Sequence, residues 1–127
     1  MPHRDLPSDE ALLATLLDEG RLALLAETGL PGSPPEEIFE LFTRLAARLT
    51  NSPTSLLTFV DDARQYFKSA VGLHEPWATR RTSPLTHSFC KYVVALNAPL
   101  VVDDAREHPV LRLNRGTTEA GIVAYAG

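Results

Sequence analysis

Among 127 residues the chain has one cysteine, Cys90. A single thiol excludes an internal disulfide and fits a reducing compartment. Basic residues are outnumbered, 12 Lys and Arg against 16 Asp and Glu for a formal charge of -4, so the basic face that nucleic-acid binding demands is missing. No apolar run approaches the roughly 20 residues needed to cross a bilayer. The longest near the N-terminus, Ala11 to Leu17, lies between Asp5, Asp9 and Glu10 on one side and Asp18 and Glu19 on the other. A signal peptide would carry positive charge there. These absences point to a cytoplasmic chain with neither nucleic acid nor membrane as partner. Catalytic signatures are missing too: there is no G-x-S-x-G elbow, no P-loop and no G-x-G-x-x-G. The acidic pairs Asp61-Asp62 and Asp103-Asp104 fall at strand ends, where turns collect Asp, rather than in a paired-carboxylate site.

What remains is an ordinary globular composition, 44% hydrophobic, with room for one domain and one core. The most informative stretch is Thr54 to Gly72. Ser55 to Val60 and Gln65 to Val71 are rich in β-branched, aromatic and aliphatic residues, and the polar link Asp61 to Arg64 joins them. That pattern predicts a β-hairpin. A lone hairpin is marginal in water, so helices and further strands must cover it.

The flanking segments supply that cover. Ser8, Asp9 and Glu10 cap a helix carrying Leu12, Leu13, Leu16 and Leu17, with a break or bend at Gly20 and an end at Gly29. Its leucines suit either a second chain or the domain's own surface. Next, Ser33, Pro34 and Glu36 predict an N-cap, first turn and capping box. The helix they open carries Ile38, Leu41, Phe42, Leu45 and Leu49 as one stripe and is expected to back the sheet. Leu73 to Pro84 reads as a loop. Thr82 or Ser83 then caps a helix reaching about Leu96, its buried stripe being Leu85, Phe89, Tyr92, Val93 and Leu96. Short strands are expected at Leu100 to Asp103 and Gly121 to Ala126, with a tight turn or one helical turn over Asp104 to His108 and irregular chain over Val110 to Thr118. The fold class is α+β.

Four motifs in order, D-D-A-R-Q-Y-F-K-S-A-V-G-L (Asp61 to Leu73), S-F-C (Ser88 to Cys90), P-L-V-V-D-D-A (Pro99 to Ala105) and Y-A-G (Tyr125 to Gly127), resemble the GAF domain of bacterial sensory proteins. The resemblance runs from about Arg21 to the last residue, leaving residues 1–20 as an N-terminal helical extension. It implies a twisted antiparallel sheet, with terminal helices on one face and a loop-helix pocket wall on the other. It also implies a homodimer and a regulatory role, not an enzymatic one, over an attached histidine kinase, diguanylate cyclase or PP2C-type phosphatase. Family members continue past the Y-A-G position through a last strand and helix, so a fragment, or a chain completed by another, is expected. The N-K-F-D-E type of sequence that marks cyclic-nucleotide-binding members is absent, and no cofactor can be named.

The family pocket implies a ligand set of Phe59, Phe67, Trp77, Arg81, Phe89, Cys90 and Tyr125. Each has a plainer reading. Arg81, beside Arg80, can hold a phosphate or carboxylate bidentately, or pair with Asp61, Asp62 or Glu75 to pin the loop. Trp77 is a pocket lid or a loop anchor, and the strand aromatics line a cavity or fill the core. Arg64, Gln65 and Lys68 are expected to stabilise the hairpin turn. Cys90 is a small buried hydrophobe unless it serves redox chemistry. With His87 three residues before it, it offers two metal ligands of the four that a structural zinc takes. A ligand-free dimerisation scaffold and a Cys90-dependent redox or metal protein are the alternatives.

Overall fold

The computed structural model describes residues 5–127; the first four residues of the expected extension lie outside it. The fold is α+β, as the sequence predicts. Helices α1 (Asp9–Leu16), α2 (Glu19–Glu27) and α3 (Glu37–Thr50) lead into β1 (Ser55–Val60) and β2 (Arg64–Val71). A short α4 (Trp77–Arg80), β3 (Thr82–Pro84), α5 (Cys90–Leu96) and β4 (Val101–Val102) follow, then α6 (Arg115–Thr118) and β5 (Tyr125–Ala126). Strands β1, β2 and β3 form one antiparallel sheet in that order, and β4 pairs with β5 separately.

The predicted hairpin forms with β1 and β2 antiparallel, Ser55 opposite Val71 and Val60 opposite Gln65. Asp61 closes its turn by accepting the backbone N–H groups of Ala63 and Arg64, each at 2.7 Å. Register slips by one between Leu57 and Thr58, leaving Lys68 as the extra residue of a β-bulge. Strand alternation puts Gln65 and Lys68 on opposite faces, and past the bulge Ser69 follows Lys68 toward α3. The sheet therefore separates two unlike layers.

One layer is the core proper. Leu12 and Leu16 of α1, Val60, Phe89 and Tyr92, and Leu100, Val102, Ala105 and Leu111 pack together. Burying each large apolar side chain here contributes about 1.5–3 kcal/mol. The N-terminal helix is anchored by these two leucines, so it lies on its own domain. Its cap is the predicted one, Ser8 Oγ accepting from Ala11 N. The break comes at Asp18, whose carboxylate caps α2 by accepting from Arg21 N, two residues before the expected Gly20. Arg21 staples that break to the hairpin, donating to the carbonyls of Thr15, Leu16 and Val60.

The other layer is α3, which backs β1 and β2 as expected, but not with its apolar stripe. The stripe Ile38, Leu41, Phe42, Leu45 and Leu49 does not lie on the sheet; its members are 49 to 77% exposed. The opposite face meets the sheet, with Thr43 only 2% exposed and its Oγ1 2.6 Å from Ser69 Oγ. Helix α3 also starts later than predicted, with Glu36 at its N-cap and no side-chain cap. The Ser33 hydroxyl and the Glu36 carboxylate are drawn off by Lys68 Nζ, at 2.7 and 2.5 Å.

The other corrections concern the second half. The loop expected before α5 contains α4, and Thr82 to Pro84 is a strand rather than a cap, because Ser83 pairs with Gln65 along β2. Only Cys90–Leu96 is α-helical, preceded by a 3-10 turn at Leu85–His87. The two late strands shrink to two residues each, and the segment expected to be irregular forms a 3-10 turn at Leu111–Leu113 and α6.

Candidate functional site

The seven residues of the implied ligand set do not share one pocket. Phe67 and Arg81 line a cleft of about 230 Å³ between the approach to α3 and α4, with Glu40 and Leu73. Trp77 lines a second cleft of about 290 Å³, between the hairpin turn, α4 and β3. Phe89, Cys90 and Tyr125 pack with one another elsewhere: the two rings meet edge-on at 5.2 Å, and the Tyr125 hydroxyl donates to Cys90 Sγ at 3.4 Å. Phe59 is a half-buried strand residue opposite Tyr66 and lines neither cleft.

Arg81 is the clearest case of a side chain committed elsewhere. It takes the left-handed conformation at the C-cap of α4, φ 58°, and its guanidinium donates to the carbonyls of Phe67 and Lys68 at 3.0 and 2.7 Å. It closes the edge of β2 where β3 has ended. The loop is pinned, but by backbone carbonyls rather than by Asp61, Asp62 or Glu75.

Gln65 and Lys68 are corrected as well. Neither serves the turn. Gln65 is buried and receives the Ser88 hydroxyl at Oε1 while donating from Nε2 to Ser83, at 2.8 and 2.7 Å. Ser88 in turn accepts from Lys91 N at its hydroxyl and from Asn114 Nδ2 at its carbonyl. This buried polar chain ties the hairpin, β3, α5 and the start of α6 into one body. Lys68, with its side chain 0% exposed, fills the space under the Ser33 to Glu36 loop and lies 5.2 Å from the Phe39 ring. Arg64 stays at the turn, its guanidinium 5.9 Å from the Tyr66 ring centroid.

The second cleft is the more open to chemistry. Arg64 and Arg80 both line it, with Trp77, Thr82 and Ser83. Among the described residues neither guanidinium is within ion-pair reach of a carboxylate. Trp77 stands 4.9 Å from the His87 ring, and His87 Nε2 lies 2.8 Å from Glu119 Oε2, just past α6. Sequence spacing offered His87 beside Cys90 as half of a metal-ligand set, but its imidazole instead lies between Trp77 and Glu119. Nothing in the sequence spacing of 77, 87 and 119 announces that contact. Among the described residues no three His, Cys, Asp or Glu side chains converge as a metal site would need.

Burial sets the electrostatics of the Cys90 side. Burial, then the nearby Cys90 thiol, pushes the Tyr125 phenol far above its ordinary 10.0. At the turn, partial burial pushes the Asp61 carboxyl up. The N–H bonds from Ala63 and Arg64, with the Tyr66 hydroxyl and the Arg64 charge, outweigh it and leave the group below its usual 3.8.

No family model matches the chain. Over 111 residues it is 30% identical to a cyclic di-GMP phosphodiesterase of Pseudomonas aeruginosa, a match covering 87% of this chain and 18% of that protein. The chain thus spans less than a fifth of the relative's length. This finding contradicts the expectation of a regulatory and not an enzymatic chain, since the relative is named as an enzyme. It points to signalling. No helix among the described residues is long and apolar enough to cross a membrane.

Proposed function

We propose that the chain is a GAF-like regulatory unit of a bacterial signalling protein. In it, two copies pair through α3, and a small molecule bound elsewhere on the domain biases that pairing. The observation that carries this reading is α3 itself. Its sheet-facing side is held by a hydroxyl pair and its apolar stripe is turned outward. Five large side chains, each about half exposed or more, present on the order of 500 Å² of apolar surface per chain. Two copies would bury about 1,000 Å² in all, the lower bound for a specific interface. A single helical stripe is self-complementary about a two-fold axis, as an isologous dimer requires.

The hairpin from Asp61 onward, paired as the GAF resemblance implies, supports the family assignment. Similarity to a cyclic di-GMP phosphodiesterase supports cyclic di-GMP turnover as the output under control. A ligand that favours one arrangement of the domain shifts the population by its differential affinity and by no more.

Sedimentation velocity on the chain at micromolar concentration tests this. A dimer is expected, converted to monomer by Phe42→Asp with Leu45→Asp, while the far-UV spectrum stays that of the folded chain because both side chains are exposed in the monomer and the melting temperature falls only by what dimerisation contributed. A monomer throughout the range, or a dimer indifferent to the double substitution, overturns the reading.

A further inference from the structure

We propose that the cleft between the hairpin turn, α4 and β3 binds a small oxyanion joined to a flat ring, with Arg64 and Arg80 holding the anion and Trp77 the ring. Two guanidiniums that, among the described residues, make no salt bridge line the same 290 Å³. A guanidinium fork matches the oxygens of a phosphate or carboxylate bidentately. The acids of the neighbouring turn make no direct contact with these forks: Asp61 accepts from two backbone N–H groups and meets the Arg64 charge only at a distance, and among the described residues Asp62 makes no ion pair. Thr82 and Ser83 add β3 backbone and hydroxyl groups to the wall, although the Ser83 hydroxyl already accepts from Gln65.

Size narrows the ligand class. A volume of 290 Å³ sits at the bottom of the roughly 300–1,000 Å³ range of small-molecule sites. The cleft is open to solvent, and its lining suits one ring with one anionic group resting against it. The ring has a defined partner, since Trp77 is the sole tryptophan of the chain and is only half buried. Its other contact gives the site a readout. Trp77 touches His87, and His87 holds Glu119, so a ring displacing or tightening Trp77 bears on a segment 42 residues further along the chain.

This inference takes up the ligand-responsive half of the proposed function and is independent of pairing through α3. A monomeric chain that binds the probe, or a dimer that does not, tells the two apart. The experiment is a fluorescence titration of Trp77 in the full chain with phenyl phosphate, inorganic phosphate and phenol, repeated on Arg64→Gln and Arg80→Gln. Both arginines are exposed, so the variants should fold, and far-UV circular dichroism checks that they do. Expected is a saturable change with phenyl phosphate, at least tenfold weaker binding in each variant, weaker binding of inorganic phosphate and none of phenol. No saturable change with phenyl phosphate, equal binding by the variants, or phenol binding as well as its phosphate ester would each overturn the proposal.

Discussion

Replacing Lys68 by methionine removes the ammonium while keeping the length of the stem, and it isolates what that buried charge does. Lys68 Nζ donates to Ser33 Oγ at 2.7 Å, to the Pro34 carbonyl at 2.6 Å and to Glu36 Oε2 at 2.5 Å. Hydrogen bonds from a charged donor are worth about 1.5–3 kcal/mol each, but taking the ammonium out of water costs several kcal/mol and cancels much of the sum. Glu36 is 53% exposed, so water screens its share to under about 1 kcal/mol. In the variant Ser33 keeps its bond to the Leu30 carbonyl, whereas the Pro34 carbonyl loses the donor recorded for it. Lys68→Met should therefore cost about 2–3 kcal/mol, and Glu36→Gln about 0.5 kcal/mol. Urea denaturation followed by circular dichroism reads both, with the slope unchanged if only the native state is affected. A Lys68→Met chain as stable as the parent, or a Glu36→Gln chain equally weakened, would refute the idea that the ammonium holds the loop through the backbone and Ser33.

Two more outcomes follow. At Gly72, φ is +71° and a Cβ would stand 2.0 Å from the Pro53 carbonyl oxygen; since that atom is backbone, Gly72→Ala should cost several kcal/mol and lower the melting temperature sharply, and an unchanged melt would show that the hairpin base can shift. For Asp61, whose folded carboxyl lies below the ordinary 3.8, the turn's contribution is present above that value and lost as pH falls through the folded one. Asp61→Asn should flatten the stability profile below about pH 4, and a profile identical to the parent's in acid would rule this out.

Local patterns carried well from sequence to structure wherever local physics decides. The hairpin, the Ser8 cap and the existence of an apolar stripe on α3 were all legible, because alternation, capping groups and helical period are properties of short segments. The direction of the stripe was not. Periodicity says that five side chains share a face but not what that face meets, and the sheet offered Ser69 and Lys68 to the other side. Ser33 and Glu36 wrote a capping box that a lysine 32 residues beyond Glu36 took apart. Thr82 and Ser83 looked like cap residues because their strand role comes from β2 across the chain. The site was least legible. Motif order placed Arg81 and Trp77 in one pocket, yet Arg81 is spent on the carbonyls of β2, and the guanidiniums that make no salt bridge among the described residues are Arg80 and Arg64.

The join between α3 and the sheet has a mechanical consequence. A greasy seat lets a helix roll by degrees, since apolar contact has no preferred direction. The Thr43–Ser69 bond has one, and it is worth about 1 kcal/mol net. Rolling α3 out of register would first have to open that hydroxyl pair, so the pair biases the helix toward one azimuth on the sheet, by an amount small enough for thermal motion to cross.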